Sequence, residues 1–260
     1  MSSPAPITET AIAALDRAAA LTWRGTEQEP LGDWLLRAAG GFTGRANSAL
    51  ASGDPGMTLP EAAHRIRRWY SSRGLPPMAV VSYPLGQSAG NPMDEFFAAQ
   101  GWRLRDEAQV IVMTRPAAEP LPAPKTPFPV RFDDVPGDDW LALYHFRGQP
   151  DLPPIARTVL TSAPWQAFAS AGDGDRTVAI GRVAGAGEWA GLTAIEVDPD
   201  YRRRGLAVAV TSALIAHAAG RGTARIYLQV EDGNDPALAL YRRLGFTTHH
   251  AYHYWVAPAS

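Results

Sequence analysis

Between Pro116 and Pro129 the chain reads PAAEPLPAPKTPFP, six prolines in fourteen residues. Proline fixes φ and has no N–H to donate, so this run can join neither a helix interior nor a central strand. It divides the 260 residues into two stretches, each with its own alternation of helix and strand patterns. A first domain over 1–115, a linker over 116–128 and a second domain over 129–260 are expected. With 46% hydrophobic and 19% charged residues, the chain can bury a core and is not disordered over most of its length. A net charge of -2 supplies no basic face, which argues against a nucleic-acid partner. Without cysteine there can be no disulfide, thiolate metal site or cysteine nucleophile. No apolar run reaches the roughly 18 residues of a membrane span. The N-terminus carries Glu9 and Asp16 and no basic stretch, unlike a signal peptide. A cytoplasmic chain with no membrane partner, monomeric or homodimeric, is expected.

Beyond the linker the patterns predict an α/β order. Strands are read at 129–133, 165–171, 177–184, 189–197, 225–230 and 249–256. Helices are read from Asp138 through Arg147 and at 153–161, 205–220 and 236–244, the last stopping at Gly245. Alternating strands and helices toward the end imply parallel pairing with right-handed crossovers. Before the linker a shorter version is read: helix 59–74, strand 78–83, helix 93–100, strand 109–114. DEFFAAQGW at 94–102 and LALYRRLGF at 238–246 share a helix, a glycine and a large aromatic, which points to an internal duplication.

The segment DPDYRRRGLAVAV follows the strand ending at Val197. The first N–H groups of a helix are unpaired, and with the helix dipole they form an anion site. Gly205 and Ala207 let backbone approach a bulky phosphate. Arg202, Arg203 and Arg204 add charge-assisted hydrogen bonds. A diphosphate accounts for every part of Arg202–Ala207. The loop matches neither GxxxxGK[ST] nor GxGxxG.

IEVDPDYRRRGLA resembles the acetyl-CoA motif of the GCN5-related N-acetyltransferase (GNAT) superfamily, [QR]-x-x-G-x-[GA] after a strand ending V-x-P. LQVEDGNDPALALYRRLGF is similar to the family's next segment. The resemblance covers 128–257. The N-terminal half resembles a degenerate second copy, as in tandem-domain acetyltransferases of actinobacteria. The resemblance implies a mixed, twisted sheet whose central strands splay to take the pantetheine arm of acetyl-CoA. Ile195 and Val197 would supply backbone contacts at a bulge. Arg203, Gly205, Leu206, Ala207 and Val208 would hold the pyrophosphate, and Asn234 would reach the pantetheine. Tyr241 matches the tyrosine facing the thioester sulfur, and a phenol of pKa about 10 can protonate a thiolate whose conjugate acid lies near 8.5.

An alkyl amine is mostly protonated at pH 7, so a proton acceptor is needed. Glu196 and Glu231 are the candidates, acting through water, because Gln229 stands where some members carry Glu. Direct acetyl transfer to a primary amine of a small molecule or protein is expected, with a non-catalytic acyl-CoA sensor as the alternative. His249, His250, His253 and Trp255 are expected to line one wall of an acceptor pocket. His249 and His253 lie about 13 Å apart along a strand and cannot share a metal, so no metal is expected. In the N-terminal copy Phe97 stands where the second copy has Tyr241, and no arginine–glycine loop follows a strand. That half is expected to be inactive.

Overall fold

The computed structural model describes residues 7–86, 91–105, 109–123, 126–144 and 151–258. Lys125 and the expected helical continuation to Arg147 lie outside the described residues. The chain forms two compact units. One contains the chain up to Val112 together with Glu231–Gly233 and the segment from Thr248 on; the other contains Met113–Val230 and Asn234–Thr247.

The first unit is built from α1 (Glu9–Thr22), β1 (Glu27–Leu31), β2 (Trp34–Ala38), β3 (Ala49–Leu50), α2 (Leu59–Ser71), β4 (Met78–Tyr83), α3 (Pro92–Ala99) and β5 (Arg103–Leu104). β6 (Val110–Pro116) begins in this unit and ends in the other. The strands pair in the order β1-β2-β3-β4, antiparallel except for β3 and β4, which run parallel. α2 turns Ala62, Ala63, Ile66, Trp69 and Tyr70 inward. That spacing is one apolar face of a helix. They pack with Trp34, Leu36, Phe97 and Trp102.

The second unit holds β7 (Val130–Asp133), α4 (Asp138–Leu143), α5 (Ile155–Leu160), β8 (Trp165–Asp173), β9 (Arg176–Ala186), β10 (Trp189–Val197), α6 (Leu206–Gly220), β11 (Arg225–Glu231) and α7 (Asp235–Arg243). β7, β8, β9 and β10 are antiparallel neighbours, and β10 pairs parallel with β11. α6 buries Leu206, Val210, Leu214 and Ala218.

Two expectations about organisation are corrected. The proline-rich segment is part of the second unit. Leu121, Pro122 and Phe128 share a cleft with Ala209, Ser212 and Ala216 of α6, and Ala117 N–H donates to Ala224 O at 2.9 Å. Its apolar residues have a surface to cover, and proline's missing N–H costs nothing outside a ladder. The final strand β12 (Thr247–Val256) does not stay with the residues that precede it. It pairs antiparallel with β4, from Ala251–Tyr83 to Val256–Met78. Asp94 Oδ1 on α3 accepts from Trp255 Nε1 and from His253 Nε2, both at 2.7 Å. These bonds, with the burial of Trp255 in the first unit's core, place the strand there.

Candidate active site

Parallel pairing of β10 with β11 runs from Trp189–Arg225 to Leu192–Leu228, after which β10 continues to Val197 and β11 to Glu231. On its other edge β10 is bulged. Thr193 pairs with Arg182 and Glu196 with Ile180, so Ala194 and Ile195 oppose Gly181 alone, the two-against-one count of a β-bulge. Ala194 takes φ 54°, the left-handed region that L-residues seldom adopt. Gly181 has no room for a side chain. A Cβ there would stand 2.7 Å from Val210 Cγ1 and 2.8 Å from Leu214 Cδ1. The glycine therefore lets α6 seat directly over the strand beside the bulge.

The connection from β10 to α6 is a braced turn. Asp198 Oδ1 accepts from Asp200 N–H at 3.0 Å, and its Oδ2 from Arg176 Nη2 at 2.7 Å. These bonds hold the carboxyl below the usual carboxylate range. Tyr201 donates to Asp173 Oδ2 at 2.8 Å. Arg204 lies 4.7 Å over the Tyr201 ring and donates to Asp200 O, so it stiffens the turn. Arg202 and Arg203 are exposed. Arg203 and Gly205, at φ 65° and 80°, make the left-handed steps that open the helix.

The first α6 bond is Ala209 N–H to Gly205 O. The amides of Leu206, Ala207 and Val208 precede it and have no intrahelical acceptor, and no side chain caps this end. The six-residue helices α4 and α5 also start without a side-chain cap, whereas the longer α7 and α2 contrast with α6. Asn234 Oδ1 accepts from Ala237 N–H at 3.2 Å on α7, and a Thr58–Glu61 capping box closes α2. The start of α6 therefore leaves three amide donors open beside the exposed Arg202 and Arg203.

Tyr241 lies half-buried on α7, its ring 5.9 Å from that of Phe246. Burial, then the charge of Glu196, pushes its phenol up to about 12. The structure thus brings Tyr241 and Glu196 within electrostatic reach of each other in one unit. Ile195 and Val197 follow the bulge on β10. Glu231 is exposed at the end of β11 and falls in the first compact unit. Asn234 caps α7 through Oδ1, which leaves Nδ2 outside the cap.

The expected acceptor wall of histidines is not found. His253 and Trp255 are tied to Asp94. His250 is fully buried against Asp16 of α1, at 3.1 Å, and meets His249 through Nδ1 at 2.8 Å. The acidic partners were invisible because they lie more than 150 residues away in sequence. A further residue was missed. Arg115, buried at the end of β6, donates to Leu244 O, where α7 ends, and to Glu119 O at 2.7 Å. A charge closing the apolar run VIVMTRP was the signal for it. Among the described residues no cluster of His, Asp and Glu could hold a metal, and no helix is long and apolar enough to cross a membrane.

The family model described as "Probable histone acetyltransferase Rv0428c C-terminal" matches residues 9–255. A Mycobacterium tuberculosis protein described as a probable histone acetyltransferase, Rv0428c, is 32% identical over 98% of this chain and 77% of its own length. A Bacillus subtilis protein described as an uncharacterized N-acetyltransferase, YobR, is 26% identical over 92% of this chain and 96% of its own length. A solved GCN5-related N-acetyltransferase from Kribbella flavida superposes with a TM-score of 0.68 at 17% identity, covering 95% of this chain and 96% of that one. The matched family model leads to one assignment, and the bulged β10 and its parting from β11 agree with the fold of the solved GCN5-related N-acetyltransferase: the chain has the GNAT fold and belongs to the Rv0428c C-terminal family of probable acetyltransferases.

Proposed function

We infer that the second unit binds acetyl-CoA and passes its acetyl group directly to a primary amine of a small molecule or protein. The observation that carries this reading is the uncapped start of α6. Three amides without intrahelical acceptors follow two left-handed residues, at the end of a bulged strand that has parted from its parallel neighbour. A diphosphate satisfies those amides, and Arg202 and Arg203 offset its charge. The gap past Leu192 and Leu228 suits an extended amide-bearing arm, with Ile195 and Val197 supplying backbone partners and Nδ2 of Asn234 a further donor.

Acetyl-CoA supplies an activated thioester, so the protein needs no covalent nucleophile. Its task is to position the amine and manage two protons. Tyr241 holds a proton on its hydroxyl at every physiological pH, because its pKa is pushed up to about 12. It can hydrogen-bond the departing sulfur and share that proton as charge develops there, while water completes the protonation of the thiolate, because a phenol near 12 is a weaker acid than a thiol near 8.5. Glu196, whose charge reaches Tyr241, is the group we assign to take the amine's proton through water. The relatives' descriptions as acetyltransferases support the reaction class.

The test is calorimetry with acetyl-CoA on Gly205→Glu, together with a free-thiol assay across amines and basic peptides. The variant puts a carboxylate at the open amides and should lose affinity at least about 100-fold, the effect of replacing attraction by repulsion at a charge-assisted site. Undiminished affinity in the folded variant would refute the site. Binding without thiol release over the whole screen would favour an acyl-CoA sensor.

A further inference from the structure

The first unit has a cleft of its own, about 810 Å³ in volume. It opens where β3 and β4 part. The strands are parallel neighbours at Ala49–Ala79 and Leu50–Val80, and Ala51 N–H still reaches Val80 O at 3.2 Å. Beyond that point Ser52 on one side and Ser82 and Tyr83 on the other form walls, and Asn91, the N-cap of α3, closes one end. α1 covers the cleft with Glu9, Ala13 and Arg17, spaced at four residues and so on one helix face.

The helix that follows β3 cannot serve this cleft as α6 serves β10. Glu61 Oε2 accepts from Thr58 N–H at 3.0 Å and from Thr58 Oγ1 at 2.7 Å. A carboxylate thus occupies the start of α2, which disfavours a diphosphate there. The cleft's lining is nevertheless polar in particular places. Ser82 Oγ is buried with no hydrogen-bond partner, a state that costs free energy unless a ligand or water satisfies it. Among the described lining residues Arg17 is the only basic side chain, against the carboxylates of Glu9 and Asp33.

We propose that this cleft binds a short peptide of three or four residues with a free amine and a free carboxylate, and not acetyl-CoA. Arg17 takes the carboxylate, Glu9 or Asp33 takes the ammonium group, and Ser82 Oγ hydrogen-bonds the ligand between them. Glu9 and Arg17 are about 12 Å apart along the helix at ~1.5 Å per residue. An extended peptide of three or four residues, at ~3.3 Å each, spans that length. The net charge of the lining admits a zwitterion and disfavours a phosphorylated anion.

The test uses the full chain and an equimolar mixture of tripeptides with free termini, read by ligand-observed NMR. Tripeptides acetylated and amidated at their ends, and acetyl-CoA, serve as comparison probes. The free-ended peptides should bind and the blocked ones should not. Saturating acetyl-CoA should displace none of them. Arg17→Glu, at an exposed position where folding is not at risk, should weaken binding about tenfold or more, as loss of a charge-assisted bond does. Ser82→Ala should weaken it by a smaller factor. The proposal is overturned if free-ended peptides fail to bind, if blocked peptides bind equally, if acetyl-CoA competes, or if binding survives Arg17→Glu.

Discussion

Arg115 donates from Nη1 to the carbonyl of Leu244, the residue that ends the helix carrying Tyr241. Its Nη2 bonds Glu119 O at 2.7 Å, and its guanidinium lies 5.9 Å from the Phe246 ring. That ring in turn packs edge-on to Tyr241. A cation at a helix C-terminus is favourable to the dipole, and here it is buried enough for desolvation to lower its own pKa. Arg115→Met should remove the donor from three carbonyls, those of Leu244, Glu119 and Pro116, and cost about 2–4 kcal/mol of stability, since an orphaned buried acceptor costs roughly 1–3 and only the Leu244 bond is fully buried. If the residue also positions Tyr241, kcat should fall more than KM rises. Arg115→Lys should recover part of both losses by reaching one carbonyl. Equal changes in kcat and KM, measured at a temperature where the variant is fully folded, would reduce Arg115 to a structural role.

Tyr241→Phe should lower turnover by about 10²–10⁴, the range for a positioned general acid, and change acetyl-CoA affinity little. Its pH behaviour follows from burial. An unburied phenol ionises near 10, whereas this one holds its proton to about 12. The wild-type rate should therefore show no alkaline fall from Tyr241 below about pH 11. The same shift makes the folded state lose stability only as pH rises from 10 toward 12, because the unfolded phenol ionises first. A rate that falls near pH 10 in the wild type and loses that limb in the variant would show an unperturbed phenol. Wild-type turnover in the variant would remove the acid role.

Ala194 carries the bulge at φ 54°. Ala194→Gly removes the left-handed penalty and should be neutral or slightly stabilising. Ala194→Val should cost about 1–3 kcal/mol, because a β-branched residue strongly resists that region. It should also weaken acetyl-CoA binding by moving Ile195 and Val197. Thermal unfolding and calorimetry on the pair read both effects. Equal behaviour of the glycine and valine variants would show that the bulge is not a strained feature the site depends on.

The second unit's strand–turn–helix segments were legible because local chemistry fixes them. Gly205 and Gly245 mark the start of α6 and the end of α7, and Pro236 starts α7, whatever surrounds them. The same local cues located Tyr241 and the open helix end. β1 and β3 were not legible. β1 contains Pro30, and β3 is two residues long, so neither shows an alternation to detect. The allegiance of β12 was hidden for a different reason. Its alternation fits either unit, and the choice is made by Asp94, 161 positions from Trp255. The histidine roles failed with it, since a side chain's partner cannot be read from its own strand. Arg115 was visible as a charge in an apolar run, but its acceptor at Leu244 lies 129 positions on.

That allegiance governs where the chain can be cut. The proline-rich segment invites separation near residue 118, yet a fragment of 1–118 lacks β12. β4 would then present an unpaired edge, the core would lose Trp255, and Asp94 would lose both of its partners. Removing a buried tryptophan alone costs about 3–5 kcal/mol, a large fraction of the roughly 5–15 kcal/mol that holds a typical domain. The 1–118 fragment should therefore show no cooperative thermal transition. Fusing residues 248–258 behind it through a flexible linker should restore one, and Asp94→Asn in that fusion should lower its midpoint by weakening the His253 bond. Circular dichroism and proteolysis read all three molecules. A cooperative transition in 1–118 alone, equal to that of the fusion, would show that the strand is an addition to the unit and not part of its core.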